Sequence, residues 1–188
     1  MLLQYYIASL NIEHAYYELT GSYESFEGLC FADTLDLAEG SQYFLGFMTQ
    51  KNAERVERQR RTPITVVIGN PPYNMNQQNE NDNTKNRKHE VIDKWVAETY
   101  AKDSRASSKT ALSDPYVKFF RWATDRLQGR DGIVTFVSNN GFLPGIAFDG
   151  FRKHLMSDFS SVYDVDFKGN ARTTGERRRK EAAIFFMT

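Results

Sequence analysis

A run of mostly β-branched residues in the middle of the chain sets the strongest constraint on its fold. Pro63 precedes Ile64-Thr65-Val66-Val67-Ile68, and Gly69-Asn70-Pro71-Pro72-Tyr73 ends the run abruptly. Because continuous apolar runs of this kind are typical of strands covered on both faces, the segment predicts a buried strand of a parallel sheet. The two consecutive prolines lack N–H donors and restrict the backbone, which ends the strand there.

The remainder of the chain alternates between helical and strand-like patterns. Helices are predicted at residues 1–18, 91–96, 114–127 and 148–155, and strands at 29–32, 64–68, 133–137, 161–167 and 183–187. Residues 50–61 are charged and compatible with a helix, which predicts a solvated connector. Strands that alternate with helices favour an α/β domain with a largely parallel sheet. Residues 74–88 are rich in Asn, Gln and charge without an apolar period, which predicts a mobile polar loop.

Length and composition narrow the class of protein. The 188 residues fit one domain, and a formal net charge of zero means that any DNA contact must come from a local basic patch. The single cysteine, Cys30, excludes an intrachain disulfide and a cysteine-rich zinc site, and its apolar neighbours indicate a buried, unreactive thiol. We predict no metal site. Without a bilayer-length apolar run or a signal-peptide pattern, the prediction is a cytoplasmic protein with no membrane partner.

The first residues already carry an amphipathic helical pattern. Leu3, Tyr6, Ile7 and Leu10 recur on one face of a helix that would begin at Met1. Since a domain seldom starts inside its own core, we predict that residues 1–188 are part of a longer catalytic domain.

The residues with the clearest chemistry are Asn70-Pro71-Pro72-Tyr73. Open α/β sheets bind ligands at the carboxyl ends of their strands, which is where this segment lies. The adenine N6 amine is a poor nucleophile; the Asn70 side-chain oxygen and the Pro71 carbonyl would each accept one of its hydrogens and so favour methyl transfer to it. Tyr73 offers a flat face for an extruded base. A plain turn is the alternative, but the preceding buried strand favours the functional interpretation.

Several blocks of the sequence resemble one enzyme family. Asn70-Pro71-Pro72-Tyr73 is similar to the catalytic motif of the amino-methyltransferases. The blocks at residues 2–18, 31–35, 116–123 and 167–173 resemble the single-polypeptide restriction–modification enzymes (type ISP), in that family's order. The resemblance implies a Rossmann-like methyltransferase sheet, mostly parallel and flanked by helices, and truncated at its N-terminal edge. It also implies S-adenosylmethionine as cofactor and double-stranded DNA with a flipped adenine as substrate.

The same resemblance implies roles for individual residues. Asp33 matches the acidic residue that contacts the adenine amine of the cofactor, and a strand-end cap with Thr34 is the alternative. Asn70, Pro71, Pro72 and Tyr73 match the catalytic loop. Phe142 lies where the family places pocket-lining residues, and plain core packing is an equal alternative.

Two features depart from the family pattern. The family's glycine-rich cofactor loop, and the acid thought to hold the ribose hydroxyls, belong upstream of residue 1. The family also has a longer stretch, with an aromatic clamp, between its Arg-Lys-Glu segment and its final strand. In this chain residues 177–181 are followed directly by 182–186. The dense basic cluster consists of Arg172, Arg177, Arg178, Arg179 and Lys180. Contact with DNA phosphates and a solvated loop are equal interpretations of this cluster.

We therefore predict S-adenosylmethionine-dependent methylation of adenine N6 in DNA. The family implies that a nuclease, a helicase-like ATPase and a target-recognition domain share the polypeptide. Two alternatives remain, namely a methyltransferase that acts on the side-chain amide of a protein glutamine, and a truncated, non-catalytic remnant. The polar loop and the blocks at residues 2–18 and 167–173 favour DNA.

Overall fold

The computed structural model describes residues 2–39, 49–72 and 88–166. The helices and strands in these ranges are, in order, α1 (Leu2–Thr20), α2 (Asp36–Glu39), α3 (Gln50–Arg61), β1 (Val66–Gly69), α4 (Glu90–Val96), α5 (Pro115–Leu127), β2 (Ile133–Phe136) and α6 (Asp149–Asp158). A π-helical segment, Ala97–Ala101, continues α4. Three short 3-10 helices lie at Thr110–Ser113, Asn140–Phe142 and Ile146–Phe148. The predicted mixture of helices and strands is confirmed.

The two strands form a small parallel sheet. Val66 lies opposite Ile133, and Gly69 lies opposite Phe136. Helix α5 covers one face of the pair, because the Phe120 ring meets the Phe136 ring edge-on with 4.9 Å between centroids. This parallel pair agrees with the predicted α/β class, while the complete Rossmann-like sheet stays a prediction.

The prediction that both strands are buried on both faces is wrong. Val67 is buried, but the neighbouring Ile68 is 78% exposed, and Val66 and Ile133 are also exposed. Helices cover one face of the pair within the described ranges, so alternate side chains on the other face contact solvent. The β-branched run therefore reflects strand propensity rather than two-sided burial.

Helix α1 forms as predicted, but its apolar stripe is not buried. Leu3 is 69% exposed, and the other residues of the predicted stripe are exposed as well. The buried residue of this helix is Glu13, whose carboxylate accepts hydrogen bonds from the Phe26 N–H at 3.0 Å and the Tyr23 hydroxyl at 2.8 Å. These two hydrogen bonds lower the pKa of Glu13, and the bond from the Phe26 N–H has the larger effect. A polar contact thus attaches α1 to the segment that follows it.

Two predicted strands do not form in the described residues. The Asn52 side chain accepts from the Phe31 N–H at 2.8 Å and donates to the Phe31 carbonyl at 2.9 Å. One amide thereby supplies both hydrogen bonds that a neighbouring strand would give, and residues 29–32 stay irregular. Residues 161–166 are also irregular and exposed, since no described strand pairs with them. The predicted strand at 183–187 lies outside the described residues.

The core lies between α4, α5 and α6. Its buried members are Ile92, Val96, Tyr100, Leu112, Tyr116, Val117, Phe148, Phe151 and Leu155. Asp114 caps α5 by accepting from the Tyr116 N–H, and Pro115 occupies the first turn, as expected for a helix start. Among the described helices, none is both long and apolar enough to span a bilayer.

Candidate active site

The two strands end side by side, which places the Asn-Pro-Pro segment at the carboxyl edge of the sheet. The Val137 N–H donates to the Gly69 carbonyl over 3.0 Å. A Cβ at position 69 would lie 3.0 Å from the Phe136 ring, so glycine at this position lets the ring lie close to the strand end. The segments that begin at Asn70 and Ser138 are therefore neighbours.

The Asn-Pro-Pro segment presents acceptors at this edge. Asn70 is exposed, Pro71 is buried and Pro72 is exposed. Since neither proline has an N–H, the groups available here include the Asn70 side-chain amide and the Pro71 carbonyl. Tyr73 and the predicted mobile loop, apart from Lys88, lie outside the described residues.

Asp33 lies half-buried in the turn that leads into α2. Its Oδ1 atom accepts from the Leu35 N–H at 2.9 Å, and its carbonyl accepts from the Leu37 N–H at 3.2 Å. The carboxylate therefore does cap a turn, with Leu35 as the donor. A carboxylate offers about four lone-pair sites, so this cap leaves capacity for a further donor. The remaining acceptor sites of the Asp33 carboxylate fit an amine group that donates to them.

A cleft of about 370 Å³ lies between α2 and β1 and extends to Arg60 and Ile64 before the strand. Leu37 and Ala38, which follow Asp33, line it together with Ile68, which lies two residues before Asn70. Trp95 and Trp122 add aromatic surface. Asp33 and Asn70 are not among the residues that line this cleft, although α2 and β1 both contribute to it.

The loop after β2 is held by a residue that the sequence did not reveal. Arg152 of α6 donates from Nη1 to the carbonyl of Phe142 at 2.6 Å and to that of Gly145 at 2.8 Å. The Phe142 ring packs against Phe151, with 5.5 Å between centroids and the rings nearly perpendicular. Core packing is therefore the interpretation of Phe142 that the contacts favour. The one sequence signal for this role is that Arg152 follows shortly after a loop with two glycines, whose carbonyls an arginine can reach.

The other predicted site residues do not join this edge in the described ranges. Arg172, Arg177, Arg178, Arg179 and Lys180 all lie outside the described residues. Cys30 is partly buried, and burial raises the pKa of its thiol, which agrees with an unreactive cysteine. In the described part of the chain, no cluster of His, Cys, Asp and Glu is suited to hold a metal ion.

Comparison with known proteins places the chain in a family. The family model of the Eco57I restriction-modification methylase matches residues 11–172. The DrdV–DNA complex is 50% identical and has a TM-score of 0.85, with 96% of this chain and 17% of that chain covered. A second similar structure is a nuclease-deletion mutant of the type ISP restriction-modification enzyme LlaGI in complex with a DNA substrate mimic. It is 40% identical and has a TM-score of 0.84, with 96% of this chain and 15% of that chain covered.

A third solved structure extends the comparison. The ATP-dependent type ISP restriction-modification enzyme LlaBIII bound to DNA is 37% identical with a TM-score of 0.71, and 81% of this chain and 10% of that chain are covered. No curated protein sequence matches the chain. The chain spans less than a fifth of the length of each of these three solved relatives. The sequence resemblance to type ISP enzymes is confirmed, and the chain belongs to the Eco57I restriction-modification methylase family.

Proposed function

We propose that the chain is part of the catalytic domain of a DNA adenine-N6 methyltransferase within a longer restriction–modification polypeptide. The observation that carries this proposal is the Asn70-Pro71 pair of acceptors at the carboxyl edge of β1, in a chain of a restriction-modification methylase family. Three solved relatives contain DNA or a DNA substrate mimic, which supports DNA as the substrate. Their much greater length supports a longer polypeptide.

Asn70 and Pro71 act on the amine that is methylated. The lone pair of the adenine N6 amine is delocalised into the ring, which makes the nitrogen a weak nucleophile. The Asn70 side-chain oxygen accepts one N6–H and the Pro71 carbonyl accepts the other, which stabilises the nitrogen as it becomes tetrahedral and positively charged. Two adjacent prolines restrict the backbone here, so the acceptors need little reorganisation during the reaction.

Asp33 serves the cofactor. S-adenosylmethionine, when bound, supplies an electrophilic methyl group. The Asp33 carboxylate would accept from the cofactor's adenine amine, and the apolar cleft surface of Leu37 and Ala38 lies next along the chain. The Leu35 N–H orients the carboxylate for this contact.

Residues outside the described ranges complete the proposal. Tyr73 stacks on the extruded adenine; stacking of about 1–3 kcal/mol per base offsets much of the few kcal/mol that base extrusion costs. Arg172, Arg177, Arg178, Arg179 and Lys180 contact DNA phosphates. A Rossmann-like sheet, a nuclease, a helicase-like ATPase and a target-recognition domain belong to the longer cytoplasmic polypeptide. The name of the LlaGI nuclease-deletion mutant supports the nuclease.

The Asn70→Ala variant of the longer polypeptide tests this proposal. Because the Asn70 oxygen gains strength in the transition state, we expect the methylation rate to fall by about two to three orders of magnitude while DNA affinity stays within about twofold. Asn139→Ala is the matched control, because Asn139 lies at the same sheet edge but its side chain accepts from the Gly141 N–H. The control should keep most of its activity. A methylation rate unchanged in Asn70→Ala would remove the catalytic role.

A further inference from the structure

The segment that carries Asp33 is hydrogen-bonded to the first described helix after Asn70-Pro71-Pro72. Glu39 ends α2, and its Oε1 atom accepts from the Val91 N–H at 3.0 Å and the Ile92 N–H at 3.2 Å. Its Oε2 atom accepts from the Val91 N–H at 3.1 Å. The first N–H groups of a helix have no partner within the helix. A carboxylate from a distant part of the chain therefore caps the start of α4.

A second pair of residues joins the same two elements. The Asp36 Oδ1 atom of α2 lies 3.9 Å from the His89 Nε2 atom directly before α4, and both side chains are buried. Two carboxylates of α2 thus lie at the amino end of α4, where negative charge interacts favourably with the helix dipole. Ile92, one of the two residues bonded to Glu39, is fully buried in the core. These contacts therefore attach α2 to the described core between α4, α5 and α6.

The contacts between α2 and α4 also lie close in the chain to Asp33. Leu37 and Ala38 lie between the two carboxylates of α2 and line the cleft that Ile68 shares. Asp33 is bonded into the same turn through the N–H groups of Leu35 and Leu37. A shift of α2 away from α4 would therefore move the Asp33 carboxylate relative to the strand that delivers Asn70.

We propose that Glu39 is a positioning residue for methyl transfer. Its carboxylate holds α2 against α4 and so fixes the position of the Asp33 turn, which would hold the cofactor. This role rests on the proposed function. Glu39 contacts backbone N–H groups rather than substrate. Its replacement should therefore raise the KM for the cofactor more than it lowers kcat.

Glu39→Gln and Glu90→Gln in the longer polypeptide test the proposal as a matched pair. Each removes one negative charge at the amino end of α4, but Glu90 is exposed in the first helical turn. Losing the charge on this hydrogen-bonded carboxylate should lower the population with α2 docked on α4, and the apparent affinity for the cofactor would then fall by up to about tenfold. For Glu39→Gln we expect the KM for S-adenosylmethionine to rise by about tenfold with kcat within about threefold, since a positioning residue mainly affects binding. We expect Glu90→Gln to match the wild type.

Hydrogen exchange of the Val91 and Ile92 amides supplies a readout that does not depend on catalysis. The two amides should exchange faster in Glu39→Gln than in Glu90→Gln and the wild type. Equal KM values in the two variants, a fall in kcat without a rise in KM, or general loss of helical circular dichroism in Glu39→Gln would each overturn the positioning role. A wild-type polypeptide that methylates no DNA would instead overturn the proposed function, and the positioning role with it, even if its amide protection were normal.

Discussion

Replacing Gly150 with alanine should force two helices apart. Gly150 lies in the first turn of α6, where an added Cβ would be 2.1 Å from the Tyr100 carbonyl oxygen, 2.8 Å from the Ser104 nitrogen and 3.0 Å from the Asp103 carbonyl carbon. All three atoms belong to the backbone of the π-helical segment or the residues directly after it. They cannot rotate away as a side chain would, so α6 must move.

The movement has a calculable cost and a route to the candidate site. Overpacking a core typically costs about 1–3 kcal/mol. A clash with backbone places this case near the upper end, while alanine gains about 1 kcal/mol over glycine in a helix. We therefore expect Gly150→Ala to lower the free energy of unfolding by about 2 kcal/mol. Arg152 moves with α6, so the loop that it holds through the Phe142 carbonyl should also loosen.

Urea denaturation followed by circular dichroism measures the effect. Met156→Ala is the control, because Met156 lies on the same helix and is 71% exposed. Its free energy of unfolding should stay within about 0.5 kcal/mol of the wild type. If Gly150→Ala is as stable as the wild type at an unchanged m-value, α6 does not approach Tyr100 as closely as described, and the reasoning fails.

Four further predictions concern the proposed site, the 188-residue chain on its own and the pH dependence of its stability. Tyr73→Phe should keep most methylation activity and Tyr73→Ala should lose it, because stacking needs the ring alone; equal losses in the kinetics of both variants would contradict stacking. The 188-residue chain alone should bind S-adenosylmethionine at least about a hundredfold more weakly than the longer polypeptide in titration calorimetry, since it has no glycine-rich cofactor loop. In sedimentation, it should also self-associate through the exposed face of the β1–β2 pair. Hydrogen bonds from Ser104 and then the Arg105 N–H hold the pKa of Asp149 at about 2, so this carboxylate adds stability that is lost as the pH falls from about 4 to about 2. Asp149→Asn should lose less stability over that window, and urea midpoints measured against pH would reveal an unchanged slope if the idea is wrong.

Local signals in the sequence predicted several elements well. The start of α5 could be predicted from Asp114 and Pro115 alone. The capping hydrogen bond and the proline backbone geometry both involve only neighbouring residues. The strand before Asn70 and the strand that begins at Ile133 were likewise predicted from β-branched runs that need no distant partner to be recognised. The position of the Asn-Pro-Pro segment at the strand end follows from the same short-range information.

Burial and long-range contacts were not predictable in this way. The continuous run of Val and Ile in β1 is compatible with burial of one face or of both, and elements elsewhere in the chain decide which applies. Residues 29–32 resemble a strand, yet Asn52 satisfies the Phe31 backbone with its side chain. Glu39 and Val91 are separated by 52 positions, and no local pattern marks a glutamate that will cap a distant helix.

The identity of the methylated atom tests the central claim most directly. The longer polypeptide would be incubated with methyl-labelled S-adenosylmethionine, double-stranded DNA and protein substrates, and the products digested to nucleosides and amino acids. We predict label on N6 of adenine, incorporated about two to three orders of magnitude more slowly by Asn70→Ala. Label on cytosine or on glutamine side chains, or no transfer to DNA at all, would contradict the account.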